Sequence, residues 1–90
     1  MAWKVEFSPA AERELNKLDL QHARRILKFL SFRLARLENP RSIGQALHGQ
    51  GFGEFWKYRA GDYRLRLICR IEDEEILILV LQIGHRREVY

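Results

Sequence analysis

Lys57, Arg59, Arg64 and Arg66 lie on either side of the turn tripeptide Ala60-Gly61-Asp62, and the sequence ends His85-Arg86-Arg87-Glu88-Val89-Tyr90. Guanidinium groups grip phosphate through two parallel hydrogen bonds and stay charged at any physiological pH. A lysine crowded by arginines ionises less readily than a free one, because its charge is added beside like charges, so it can accept a proton near neutrality. A histidine titrates in the same range, and a phenol can stack on a base or exchange a proton. Together such groups suit transfer at the phosphorus of an RNA backbone. The ribose 2′-oxygen attacks in line with the leaving 5′-oxygen, cations carry the extra negative charge, and side chains move the two protons. Other chemistries lack their residues. There is no Gly-x-Ser-x-Gly, no glycine-rich loop ahead of a helix and no Cys/His metal spacing, so neither metal nor cofactor is expected.

These groups must be positioned by strands. Residues 55–59 and 63–71 flank the turn, which offers Gly61 for positive φ, and together they read as a hairpin. Alternation puts Trp56 and Tyr58 on one face with Tyr63, Leu65, Leu67, Cys69 and Ile71. Lys57 and Arg59 emerge on the other face with Arg64 and Arg66. Like charges across paired strands repel by a few tenths of a kcal/mol per pair, roughly, and sheet stability does not ask for them. A polyanion would relieve the repulsion. The last strand, residues 76–83, is apolar on both faces and belongs in the middle of a sheet. It delivers His85, Arg86, Arg87 and Tyr90 beside the cationic hairpin, although a basic chain end is often no more than frayed.

The remaining elements precede the hairpin. Trp3, Val5 and Phe7 alternate with Lys4 and Glu6 as in a half-buried strand. Ser8-Pro9 starts a helix that breaks near Asp19. A longer helix over residues 20–37 carries Leu20, Ala23, Leu27, Leu30, Leu34 and Leu37 as one stripe facing a core, and Asn39-Pro40 stops it. Arg24, Arg25, Lys28 and Arg36 occupy its opposite face with Phe29 and Phe32, which are either packed on arginine stems or a docking patch for another protein. Residues 41–53 read as a loop. The expected fold is α+β: β-α-α-β-β-β, with two helices on one face of a mainly antiparallel four-stranded sheet, in one domain over residues 1–90.

Composition agrees. The net charge of +4 includes the acidic run Glu72-Asp73-Glu74-Glu75; without it, 16 basic residues face 8 acidic ones, a bias that attracts polyanions. No apolar stretch is long enough to span a membrane and the N-terminus has no signal-peptide pattern. The lone Cys69 reads as a small buried hydrophobe in a reducing compartment, so a cytoplasmic location is expected.

The segment Gly53-Glu54-Phe55-Trp56-Lys57-Tyr58-Arg59-Ala60-Gly61-Asp62-Tyr63-Arg64-Leu65, with Ile83-Gly84-His85-Arg86-Arg87-Glu88-Val89-Tyr90, resembles the RelE branch of the RelE/ParE toxin superfamily. The resemblance covers almost the whole chain. It implies the toxin of a type II toxin–antitoxin pair: an endoribonuclease that enters the A site of the 70S ribosome and cuts mRNA through 2′-hydroxyl attack. It also implies a RelB-type antitoxin that wraps the toxin, with operator DNA contacted only through that partner. By the same resemblance Lys57, Arg64, Arg86 and Tyr90 are catalytic, with Arg59, Arg66 and Arg87 binding RNA. Arg86 and Arg87 could exchange roles, and His85 could be the general acid, because the segment before the terminal tyrosine is shorter than in some relatives. Phe55 stands where some relatives carry a second lysine. Phe29 and Phe32 are the candidate antitoxin contacts. Two other functions compete: a ParE-like inhibitor of DNA gyrase on the same fold, and an RNA-binding module without catalysis.

Overall fold

The computed structural model describes residues 2–47, 55–60 and 65–85, with residue 85 described by its backbone only. Strand β1 (Lys4–Phe7) leads into helix α1 (Pro9–Lys17) and helix α2 (Leu20–Lys28), which continues as a π-helical segment, Phe29–Leu34. A 3₁₀ turn, Pro40–Ile43, and a two-residue strand β2 (Gln45–Ala46) follow. Strands β3 (Phe55–Arg59), β4 (Leu65–Glu72) and β5 (Leu77–His85) complete the order.

The sheet has five strands in the order β1-β5-β4-β3-β2, with β1 parallel to β5 and every other pair antiparallel. The α+β class therefore stands, with one strand more than the sequence suggests. β2 lies in the segment read as a loop, and two residues are too few to display a period. The doubly apolar β5 is held between β1 and β4, where both of its edges are paired.

Ser8 begins α1 by accepting from the amide of Ala11 (3.1 Å), while its own hydroxyl donates to the carbonyl of Leu81 on β5 (2.9 Å). Asp19 caps α2 through the amide of His22 (2.9 Å). Ala11, Ile26, Leu30 and Leu34 from the helical segments pack with Tyr58, Leu65, Leu67, Cys69, Ile78 and Val80 from the sheet in one buried cluster. Burial holds the Cys69 thiol up, at about 12, so it behaves as the inert small hydrophobe expected.

The α2 stripe differs from the sequence reading. Leu20 and Leu27 are 65% and 42% exposed, and the buried line runs instead through Ile26, Leu30 and Leu34. Leu20 and Leu27 lie in the regular helix ahead of the π segment, flanking a stripe centred on Ile26; within the π segment the amide of Ala35 reaches back five residues to the carbonyl of Leu30 (2.8 Å). The wider π turn keeps Leu34, rather than Arg33, in line with Ile26 and Leu30. Phe29, expected to point away from the core, packs against it with its ring 6.1 Å from that of Tyr58.

The β4–β5 turn gathers the acidic run. Arg41 clamps Asp73 with two hydrogen bonds (3.0 and 2.8 Å), and that contact holds the Asp73 carboxyl below its ordinary range. Ile76 closes the turn at φ 50°, a strained position for a β-branched residue. Its amide donates to Asp73 (3.2 Å) and its carbonyl accepts from Lys4 (2.8 Å), so both backbone groups hold it there.

Candidate functional site

Register fixes the cationic face. Arg59 on β3 is the direct partner of Arg66 on β4, Lys57 is paired with Ile68, and Phe55 with Arg70. Tyr58, Leu65, Leu67, Cys69 and Ile71 are buried on the other side, as alternation requires, while Lys57, Arg59 and Arg66 are not. The structure thus brings these three cations together on the side away from the core. Arg70 shares that face farther along β4, where it is salt-bridged to Glu72.

Arg66 is half-buried, and its Nε is enclosed with no hydrogen-bond partner among the described residues. An unmet buried donor costs on the order of 1–3 kcal/mol, more when charged, and an anion placed there would recover it. Beside Arg66 on β5 stands Gly84, where an added Cβ would meet nothing within 4 Å. A cavity of about 280 Å³ opens at this point between Ala10 and Glu14 of α1, Arg66 and Ile68 of β4, and Gln82 and Gly84 of β5.

Lys57 reaches a second region. It is half-buried, paired to Gln45 on its other flank, and lines a cavity of about 270 Å³ with Arg33, Gly44, Tyr58 and Arg59. Tyr58 itself is structural. Its hydroxyl donates to the carbonyl of Pro40 (2.9 Å), and burial first of all holds its pKa above the ordinary tyrosine value.

Of the other sequence-derived candidates, Arg64, Arg86, Arg87 and Tyr90 lie outside the described residues. The Cα of His85 stands opposite Leu65, so β5 ends next to the strand that carries Arg66. Phe32 is 67% exposed, whereas Phe29 is half-buried against Tyr58 and lines the same cavity as Lys57. Glu14 and Arg33 were missed. Nothing in a strand pattern links α1 to the hairpin, and on a regular wheel Arg33 falls two turns after Ile26, facing the core. The π segment turns it outward.

The matching family model is described as the ParE toxin of the type II toxin–antitoxin system parDE, and it spans residues 5–90. Toxin RelG of Mycobacterium tuberculosis is 32% identical over 90 residues, covering 100% of this chain and 98% of that protein. Among solved structures, a chain of the M. tuberculosis toxin–antitoxin complex RelBE2 superposes with a TM-score of 0.85 at 27% identity, over 98% of this chain and 95% of that one. A chain of the intact Escherichia coli RelBE complex shares the fold, with a TM-score of 0.72 at 24% identity over 97% and 100% of the two chains. The matched model spans both helices and the whole hairpin, and the RelG likeness runs from end to end: the chain belongs to the RelE/ParE superfamily of type II toxin–antitoxin toxins.

Proposed function

We propose that this toxin is a ribosome-dependent endoribonuclease that cuts mRNA in the A site through attack by the ribose 2′-hydroxyl. The observation that carries the reading is the strand face on which Arg59 and Arg66 are direct partners and Lys57 is their near neighbour. Lys57 takes the proton of the 2′-hydroxyl. Arg64 and Arg86 stabilise the charge that builds on phosphorus, and Arg59, Arg66 and Arg87 hold the flanking RNA. Tyr90 or His85 stacks on the base or returns a proton to the leaving oxygen. No metal is required for these steps. A RelB-type antitoxin is the partner that silences the toxin, with Phe29 and Phe32 in its contact surface, and it carries the DNA-binding part that reaches the operator.

The test is induction without antitoxin, followed by primer extension on ribosome-bound mRNA. Cuts are expected, and Lys57→Ala, Arg64→Ala and Arg86→Ala should each lower cutting by about 10²-fold or more while the proteins stay folded. A fully active set of variants overturns the site. One observation favours a second reading, inhibition of DNA gyrase, because the matching family model is that of ParE. Whole mRNA together with DNA breaks after induction would establish that reading in place of the first.

A further inference from the structure

A groove of about 700 Å³ lies between α2 and β3, lined by Arg25, Lys28, Phe29, Arg33 and Arg59. It shares Phe29, Arg33 and Arg59 with the cavity that Lys57 lines. The two therefore adjoin, and their cations extend from Arg25 and Lys28 of α2 to Lys57 of β3. On the side of β3 away from β4, β2 pairs with Trp56 and Lys57 and no described strand pairs with Tyr58 or Arg59, and the Arg59 side chain is exposed. None of the groove's described lining residues is acidic, and its wall carries an aromatic ring, Phe29, fixed from behind by Tyr58.

We infer that this groove binds the ribose–phosphate backbone of RNA, with Lys28 and Arg33 as phosphate contacts beyond the strand face. The inference rests on the reading of the toxin as an RNA-cutting protein and adds the route by which the strand arrives. A backbone whose scissile phosphate sits at Lys57 must continue in some direction. This groove offers several cations along one, with the Phe29 ring as an apolar surface for a sugar or base. An acidic protein segment would be drawn by the same charge, but it gains nothing from the approach to Lys57.

The backbone could belong to the message or to ribosomal RNA, so two probes are needed: a 2′-O-methylated RNA 12-mer, which cannot be cut, and ribosomes washed free of mRNA. Lys28→Gln/Arg33→Gln should bind at least one probe about tenfold more weakly, with the slope of log affinity against log salt reduced by about one for each cation removed. Lys28→Arg/Arg33→Lys, which keeps the charge, should bind as the parent does. Both positions are exposed, so the substitutions leave the core alone. Unchanged affinity and salt slope with both probes would overturn the groove while leaving mRNA cutting untouched. A loss of binding to poly-glutamate but to neither RNA probe would give the groove to an acidic protein partner and also end the proposal. If the parent binds neither probe and cuts no mRNA, the functional reading falls with it.

Discussion

Tyr58 joins the core to the groove, and one glycine makes room for it. An added Cβ at Gly44 would lie 2.8 Å from Cε1 and 2.9 Å from Cζ of the Tyr58 ring. That ring has nowhere to retreat, because its hydroxyl is tied to Pro40 and Phe29 lies against it. Gly44→Ala should therefore cost about 1–3 kcal/mol, the usual range for overpacking, and lower the urea midpoint without changing the slope of the transition. In a Tyr58→Phe background the hydroxyl contact (3.0 Å) disappears but the two ring contacts persist, so most of the loss should remain. Full recovery in that background would mean that the hydroxyl alone crowds the glycine. This close approach is invisible in the sequence, where Gly44 is one of several glycines in an aperiodic stretch. Lys57, Arg59 and Arg66 were legible, because strand alternation is set by backbone geometry and needs no knowledge of neighbours.

Elements were legible in proportion to how locally they are determined. Ser8-Pro9 announces α1 by its own chemistry, and the doubly apolar β5 could only be an inner strand. A regular wheel draws the buried face of α2 through Leu27 rather than its neighbour Ile26, and it cannot contain the π segment beyond, which depends on how Leu30, Leu34 and Ala35 seat in the core. The β2 strand exists only through its pairing with β3. Ser8 shows how a local signal acquires a long-range role. Its oxygen caps α1, and its proton goes to Leu81, next to the register shift in which β5 passes Ile68 and Cys69. Ser8→Ala should lose both, about 1–2 kcal/mol, whereas Ser8→Asp keeps the cap but not the donation and should recover only part. Thermal unfolding of the two variants separates these contributions. Equal stability of Ser8→Asp and the parent would show that the bond to Leu81 contributes nothing.

Across the whole molecule, charge is divided along the hairpin. β4 runs from Arg66, beside Arg59, to Glu72, where Arg41 and Arg70 already engage Asp73 and Glu72. Six residue steps along the strand separate the two ends, about 20 Å at the usual rise. That distance exceeds the Debye length of about 8 Å at 0.15 M salt but not the 30 Å or so at 0.01 M. The acidic end should thus be invisible to RNA arriving at the cationic end under ordinary conditions, yet retard it at low salt. Neutralising the exposed pair in Glu74→Gln/Glu75→Gln should leave the association rate with the uncuttable 12-mer within about twofold of the parent at 0.15 M and raise it several-fold at 0.01 M. Stopped-flow fluorescence with the labelled RNA measures both. An equal acceleration at the two salt concentrations would place Glu74 and Glu75 at the RNA itself, against the division of labour in which one end of the hairpin receives the polyanion and the other is held in turns and ion pairs.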